Sequence, residues 1–165
     1  SFYVINSFSK YFSMTGWRIG WMVVPESHIR RIERIAQNMF ICAPHVSQIA
    51  ALGAFNGKFE LQKNLLVYKE NRDVLTKGLS EAGFKDIAHP DGAFYIYADI
   101  GLFSKDSLSF ATEILDTVAV AVTPGIDFDP VNGKTKLRFS YARTTKEIKE
   151  GVRRIKSFMK KRNFI

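Results

Sequence analysis

The sequence predicts an α/β chain in two parts: a remnant of an α/β sheet, then an α+β lobe. Three observations point there. The first sixty residues join short β-branched and aromatic runs to helical patterns. One unusually long helical pattern follows. The last hundred residues interleave strand-like runs with amphipathic helices. At 165 residues and 46% hydrophobic content, the chain can bury a sizeable core, as one domain or as two small lobes.

Residues 2–7 (FYVINS) read as a short buried strand and residues 19–24 (IGWMVV) as a second. Pro25 and Ser27 open a helix with Ile29, Ile32, Ile35, Ala36 and Met39 at helical spacing. A second helix is expected from about His45 to Phe55, closed by Asn56-Gly57. Leu61, Leu65, Tyr68, Arg72, Leu75 and Leu79 then recur at steps of three and four, with Gly83 as a C-terminal cap. Some 22 residues at about 1.5 Å rise make a rod of roughly 33 Å, a length that often bridges two lobes. The boundary is therefore expected inside this helix, near residues 58–62. Beyond it the pattern predicts a strand at 92–97, a helix at 107–117, a strand at 118–122, the turn PGIDFDPVNGK, and a strand at 136–141. The run TTKE at 144–147 is a capping box for a last helix with Ile148, Val152, Ile155 and Met159 on its inner face.

Composition narrows the function classes. No apolar run is long enough for a transmembrane helix, and no basic segment followed by an apolar run marks a signal peptide. Opening directly on a strand pattern suggests that more chain precedes Ser1. The single cysteine, Cys42, excludes an internal disulfide, fits a reducing cytoplasm, and is read as a packed thiol. The net charge of +8 raises a nucleic-acid or membrane partner. The charges, however, fall on amphipathic helices: Arg30, Arg31 and Arg34 on one, Arg153, Arg154, Lys156, Lys160, Lys161 and Arg162 on another. They are read as solvated helix faces, with no nucleic acid and no membrane as partner. His28, His45 and His89 are scattered without ligand spacing, so no metal site is expected.

The chemistry concentrates in NSFSKYFSMTGWRIGW, residues 6–21. A lysine at the end of a buried strand can be desolvated, which disfavours its ammonium form and permits Schiff-base chemistry. Ser7 and Ser9 flank Lys10 with hydroxyl donors. Arg18 offers a planar fork suited to phosphate, and Gly16 and Gly20 would let backbone approach it closely. A phosphate-bearing aldehyde would be held at both ends. The residues alone leave this reading beside a plainer one, a basic surface loop.

The stretch SFSKYFSMTGWRIG closely resembles the lysine-attachment motif of class I/II aminotransferases, the fold-type I enzymes dependent on pyridoxal 5′-phosphate (PLP). At residue frequencies of about 6%, the Ser, Lys, Arg and Gly alone would coincide roughly once in a hundred thousand starts. PDGAFYIYADI (90–100) is similar to the family's P-x-G-x-F-Y segment, and VTPGIDFDPVNGKTKLRFSYA (122–142) to its P-G-x-x-F segment and arginine-bearing strand.

The resemblance implies the C-terminal part of a PLP-dependent transferase fold. Residues 1–60 would be a remnant of the large cofactor-binding domain and 61–165 the small C-terminal domain. It implies that Lys10 holds the cofactor covalently and then moves a proton from the substrate α-carbon. Ser7, Ser9 and Arg18 would bind the phosphate, and Arg138 the α-carboxylate of an amino acid or 2-oxo acid. Trp17, Phe94 and Tyr95 are read as core rather than site. The family's acidic partner of the pyridine nitrogen, its tyrosine and asparagine near the ring, and its stacking aromatic all precede the lysine. The expectation is therefore a C-terminal fragment with little activity alone and a homodimer when full length. Three alternatives stay open: a lyase, decarboxylase or synthase of the same fold, a non-catalytic sensor domain of a transcription regulator, and an α/β domain without a ligand.

Overall fold

The computed structural model describes residues 2–165. The chain divides into two compact units, one ending at Asn64 and the other running Leu65–Ile165. The division falls inside one continuous helix, Lys58–Glu81 (α3), of 24 residues.

In the first unit, β1 (Val4–Ser7) and β2 (Gly20–Val23) form an antiparallel pair. Two helices follow, α1 (Glu26–Met39) and α2 (His45–Ala54), and the turn Phe55–Gly57 leads into α3. The core of this unit is small. Phe8 and Met14, both from the loop between β1 and β2, are buried with Ala51 of α2, and Phe12, Ile19, Ala50 and Ala54 pack around them.

The structure departs from expectation at three points here. The strand expected at 2–7 begins at Val4, and neither β1 nor β2 is buried. The apolar stripe of α1 is only partly covered: Ile32 and Ala36 are half-buried, and Ile29, Ile35 and Met39 are exposed. Apolar periodicity shows which face wants cover, and these faces find little of it among the described residues of the unit. Cys42 is also exposed rather than packed. It lines an open apolar recess with Trp21, Leu52 and Phe55.

The second unit is a three-stranded antiparallel sheet with helices. It contains β3 (Tyr95–Asp99), β4 (Thr123–Pro124) and β5 (Lys136–Ser140), with β5 central in the order β3-β5-β4. Two further helices are α4 (Ser107–Val118) and α5 (Thr145–Lys161). Because side chains alternate along a strand, Ile96, Ala98, Leu137 and Phe139 are buried on one face. They pack with Leu79, Phe84, Ile114, Ile155, Phe158 and Met159. The other face carries Tyr95, Tyr97, Asp99, Lys136 and Arg138.

The helix ends follow local chemistry. α3 closes in a Schellman arrangement: Gly83 has φ 90°, Gly83 N donates to Ser80 O, and Phe84 N donates to Leu79 O at 3.1 Å. Asp106 caps α4 by accepting from the backbone N of Leu108 and Ser109. The capping box of α5 is present in both directions between Thr144 and Glu147.

Two strand expectations shift. The strand expected at 92–97 starts only at Tyr95, because Ala93 turns the chain at φ 61°. The strand expected at 118–122 is absent: Val118 ends α4, Ala119 is left-handed at φ 53°, and only Thr123 and Pro124 reach the ladder. Val118, Val120 and Val122 alternate because they pack on the core, not because they pair. On α5, Glu150 pairs with Arg153 and Arg154, while Lys156 pairs with Glu81 and Arg162 with Glu113. Much of this helix's basic charge is therefore met by acids at the same surface.

Candidate active site

The loop carrying Lys10 and Arg18 closes the β1–β2 hairpin. In register, Ser7 stands opposite Gly20, which brings Ser7 and Arg18 to the same end of the ladder. A Cβ on Gly20 would lie 2.7 Å from the carbonyl oxygen of Asn6, so only glycine fits that close approach. Around Gly16, by contrast, nothing lies within 4 Å of a Cβ built there.

The loop is held from inside. Phe8 N donates to Ile19 O, Met14 N to Phe8 O at 3.1 Å, and Ser13 N to Lys10 O at 2.9 Å. Thr15 Oγ1 donates to Ser9 O at 2.6 Å, tying the serine side of the loop to the glycine side. With Phe8 and Met14 buried beneath it, the loop has a fixed path around residue 10. Lys10 itself is exposed, so the desolvation expected from a buried strand is not provided by the described residues. β1 also ends at Ser7, three residues before the lysine.

Ser7 Oγ accepts from the backbone N of Ser9 at 3.0 Å, and a hydroxyl so engaged still has its own proton to donate. Arg18 adopts a left-handed backbone at φ 50°, and its Nη1 donates to Thr15 O at 2.9 Å. Such a conformation costs about 1 kcal/mol or more for a residue with a side chain, and it concentrates at ligand sites.

In the second unit, Arg138 sits on the polar face of the sheet, paired in register with Tyr97 on one side and Thr123 on the other. Its Nη2 donates to Thr123 Oγ1 at 3.3 Å. Its guanidinium carbon lies 4.3 Å from the centre of the Phe128 ring and 5.3 Å from that of Tyr95. Tyr95 is thus a partner of the arginine rather than a core residue, and Trp17 is exposed. The Tyr97 hydroxyl is buried without a partner among the described residues. Burial, then the Asp129 carboxylate, push its pKa up.

A family model described as aminotransferase class I and II matches residues 2–155. The chain belongs to this family. It is 45% identical over 158 residues to a valine–pyruvate aminotransferase of Mycobacterium tuberculosis, covering 94% of this chain and 41% of that protein. It is 40% identical over 160 residues to a (5-formylfuran-3-yl)methyl phosphate transaminase of Methanocaldococcus jannaschii, covering 96% and 42%. Among solved structures, one from Silicibacter pomeroyi, provisionally described as an aminotransferase, shares 63% identity at a TM-score of 0.93 and covers 96% of this chain and 43% of that one. An aspartate aminotransferase variant of Thermus thermophilus shares 28% at a TM-score of 0.84, covering 94% and 42%. The chain therefore holds part of the fold-type I architecture and spans about two fifths of the length of the curated relatives it matches.

Class I and II aminotransferases depend on PLP as a family, use amino and oxo acids, and are typically dimers. The donor set at the hairpin end fits that cofactor. An aldehyde needs an amine, available at Lys10, and a phosphate needs several donors, available from Ser7, Ser9 and Arg18. Among the described residues, no three His, Cys, Asp or Glu side chains gather as a metal site, and no helix is long and apolar enough to cross a membrane. Sequence reasoning missed Phe128 and Thr123 as neighbours of Arg138. The P-G-x-x-F segment was the available signal for Phe128, but a lone aromatic in a turn has no periodicity to mark its direction.

Proposed function

We propose that this chain is the lysine-bearing part of a PLP-dependent aminotransferase that moves an amino group between an amino acid and a 2-oxo acid. The observation that carries this reading is the hairpin end, where the Ser7–Gly20 pair closes the ladder and the loop beyond it carries Lys10 and Arg18. In this reading Lys10 anchors the cofactor covalently and, once released by substrate, moves the α-proton as an acid–base group. Ser7, Ser9 and Arg18 hold the phosphate. Arg138 takes the substrate carboxylate through its guanidinium. When bound, PLP supplies the aldehyde that receives the amino group and the ring that draws electron density from the α-carbon.

The intact protein is proposed to be a cytoplasmic homodimer, as its family and its lone cysteine suggest. The test uses the full-length protein with an amino donor and a 2-oxo acid. Formation of a new 2-oxo acid and a new amino acid is the expected result, with pyridoxamine phosphate accumulating when the 2-oxo acid acceptor is left out. Borohydride treatment should fix the cofactor on the peptide that contains Lys10, and Lys10→Ala should abolish both signals. Release of CO2, or of pyruvate with ammonia, would instead indicate another reaction of the same fold.

A further inference from the structure

The rings beside Arg138 invite a question that the carboxylate role does not answer: what holds the guanidinium in place before substrate arrives. Phe128 is half exposed, and its ring is packed against a cation rather than a core. The loop that delivers it is closed on itself. Phe128 N and Asp129 N both donate to Gly125 O, at 3.0 and 2.9 Å. Asp129 Oδ1 accepts from the backbone N of Val131 and Asn132. Gly125 and Gly133 are so close that a Cβ on Gly133 would lie 2.4 Å from the Gly125 backbone. A loop tied this tightly gives the ring a fixed position.

The guanidinium is restrained from several directions. Thr123 Oγ1 accepts from Nη2, Phe128 and Tyr95 present ring faces, and Nε is buried without a partner among the described residues. A carboxylate cannot reach a buried Nε, so a side-on fork through Nε is closed to it. Nη1 and the Nη2 proton that Thr123 leaves free are the donors that remain for a carboxylate.

We propose that Phe128, assisted by Tyr95, is a positioning residue that holds Arg138 so that a carboxylate docks end-on through Nη1 and Nη2. The inference rests on the reading of Arg138 as the carboxylate-binding residue. Amino acid and 2-oxo acid share that carboxylate, so both substrates depend on the ring.

The test uses the full-length holoenzyme and compares Phe128→Leu, Phe128→Trp and Arg138→Gln. Phe128→Leu should raise KM for amino donor and oxo acceptor together by roughly 3- to 30-fold, the range of a partly desolvated cation–π contact. The kcat should fall by less than about threefold, because the contact serves ground state and transition state alike. Inhibition by butyrate should weaken by the same factor, while the absorbance of the bound cofactor stays unchanged. Phe128→Trp, which keeps an aromatic face, should restore most of the affinity. An unchanged butyrate inhibition constant in Phe128→Leu, with a weakened one in Arg138→Gln, overturns the positioning role alone. An unchanged constant in Arg138→Gln defeats the carboxylate reading and this inference with it. A joint loss of kcat and cofactor absorbance in Phe128→Leu would assign the ring a structural role and also overturn the proposal.

Discussion

The carbonyl oxygen of Asn6 occupies the space that a Cβ on Gly20 would need, at 2.7 Å. This close approach sets the last pair of the β1–β2 ladder, Ser7 with Gly20, and with it the spacing between Ser7 and Arg18. Gly20→Ala must move backbone, since the obstacle is a carbonyl rather than a flexible side chain. We expect a stability loss of about 1–3 kcal/mol and faster loss of cofactor on dialysis of the full-length protein. Gly16→Ala is the control. Its Cβ would meet nothing and its φ is not left-handed, so the change should be neutral or gain up to about 1 kcal/mol from the unfolded chain. Equal melting temperatures for the two variants would show that the Asn6–Gly20 contact does not constrain the hairpin.

Arg18 offers a way to separate backbone strain from anion binding. At φ 50° its backbone is one that glycine adopts without cost. Arg18→Gly should therefore melt at the same temperature as the parent apoprotein or higher, by up to about 1 kcal/mol. The same change removes the guanidinium, so the affinity for PLP should fall tenfold or more, about 1.4 kcal/mol per tenfold. Pyridoxal lacks the phosphate and should bind equally well to both proteins. If pyridoxal affinity falls in step with that of PLP, the arginine shapes the loop instead of holding the phosphate.

A second close approach supports the other unit. A Cβ on Gly78 of α3 would lie 2.3 Å from Cγ1 of Val152 on α5. Alanine is the better helix former by about 1 kcal/mol, yet Gly78→Ala is expected to destabilise by about 1–3 kcal/mol because the two helices must separate. Val152→Ala removes the obstacle. The double variant should thus be more stable than the two single losses predict, with a coupling of about 0.5–3 kcal/mol. Strict additivity in thermal melts would refute this close packing.

These contacts mark where sequence reading succeeds and where it stops. The last helix was legible because its signals are local: a capping box at Thr144 and Glu147, then apolar residues at a period of 3.6. The Lys10–Arg18 spacing was legible for the same reason. The exposure of Ile5, Ile35 and Met39 was not, since periodicity identifies an apolar face without saying what covers it. The run 118–122 misled because Val120 and Val122 answer to core packing while the left-handed Ala119 takes the backbone off the ladder. Phe128 beside Arg138 is a contact between a turn and a strand ten residues later, set by loop closure at Gly125 and Gly133. No repeat in the sequence encodes it.

The partly buried pair of Asp99 and Lys136 gives the second unit a pH signature. Lys136 Nζ stands 3.0 Å from Asp99 Oδ2 and 3.7 Å from Asp86, and Gly101 N donates to Asp99 Oδ1 at 2.6 Å. Burial pushes the Asp99 carboxyl up, but the hydrogen bonds from Lys136 and Gly101 outweigh it and hold the group below the usual carboxylate value. The hydrogen bond to Asp99 raises Lys136 above the usual lysine value, against the opposing effect of burial. A depressed carboxyl stabilises the fold above its unfolded pKa of about 3.9 and loses that contribution as pH falls through the lower folded value. A raised lysine stabilises fully below about pH 10.4 and loses its contribution as pH rises through the higher folded value. Lys136→Met should cost about 1–3 kcal/mol at neutral pH by leaving the carboxylate without its cation. In denaturant melts the deficit should stay flat from about pH 5 to 9 and shrink below about pH 4, as Asp99 protonates in the variant. A deficit that persists undiminished at pH 3 would mean that lost packing of the lysine stem, not its charge, accounts for the effect.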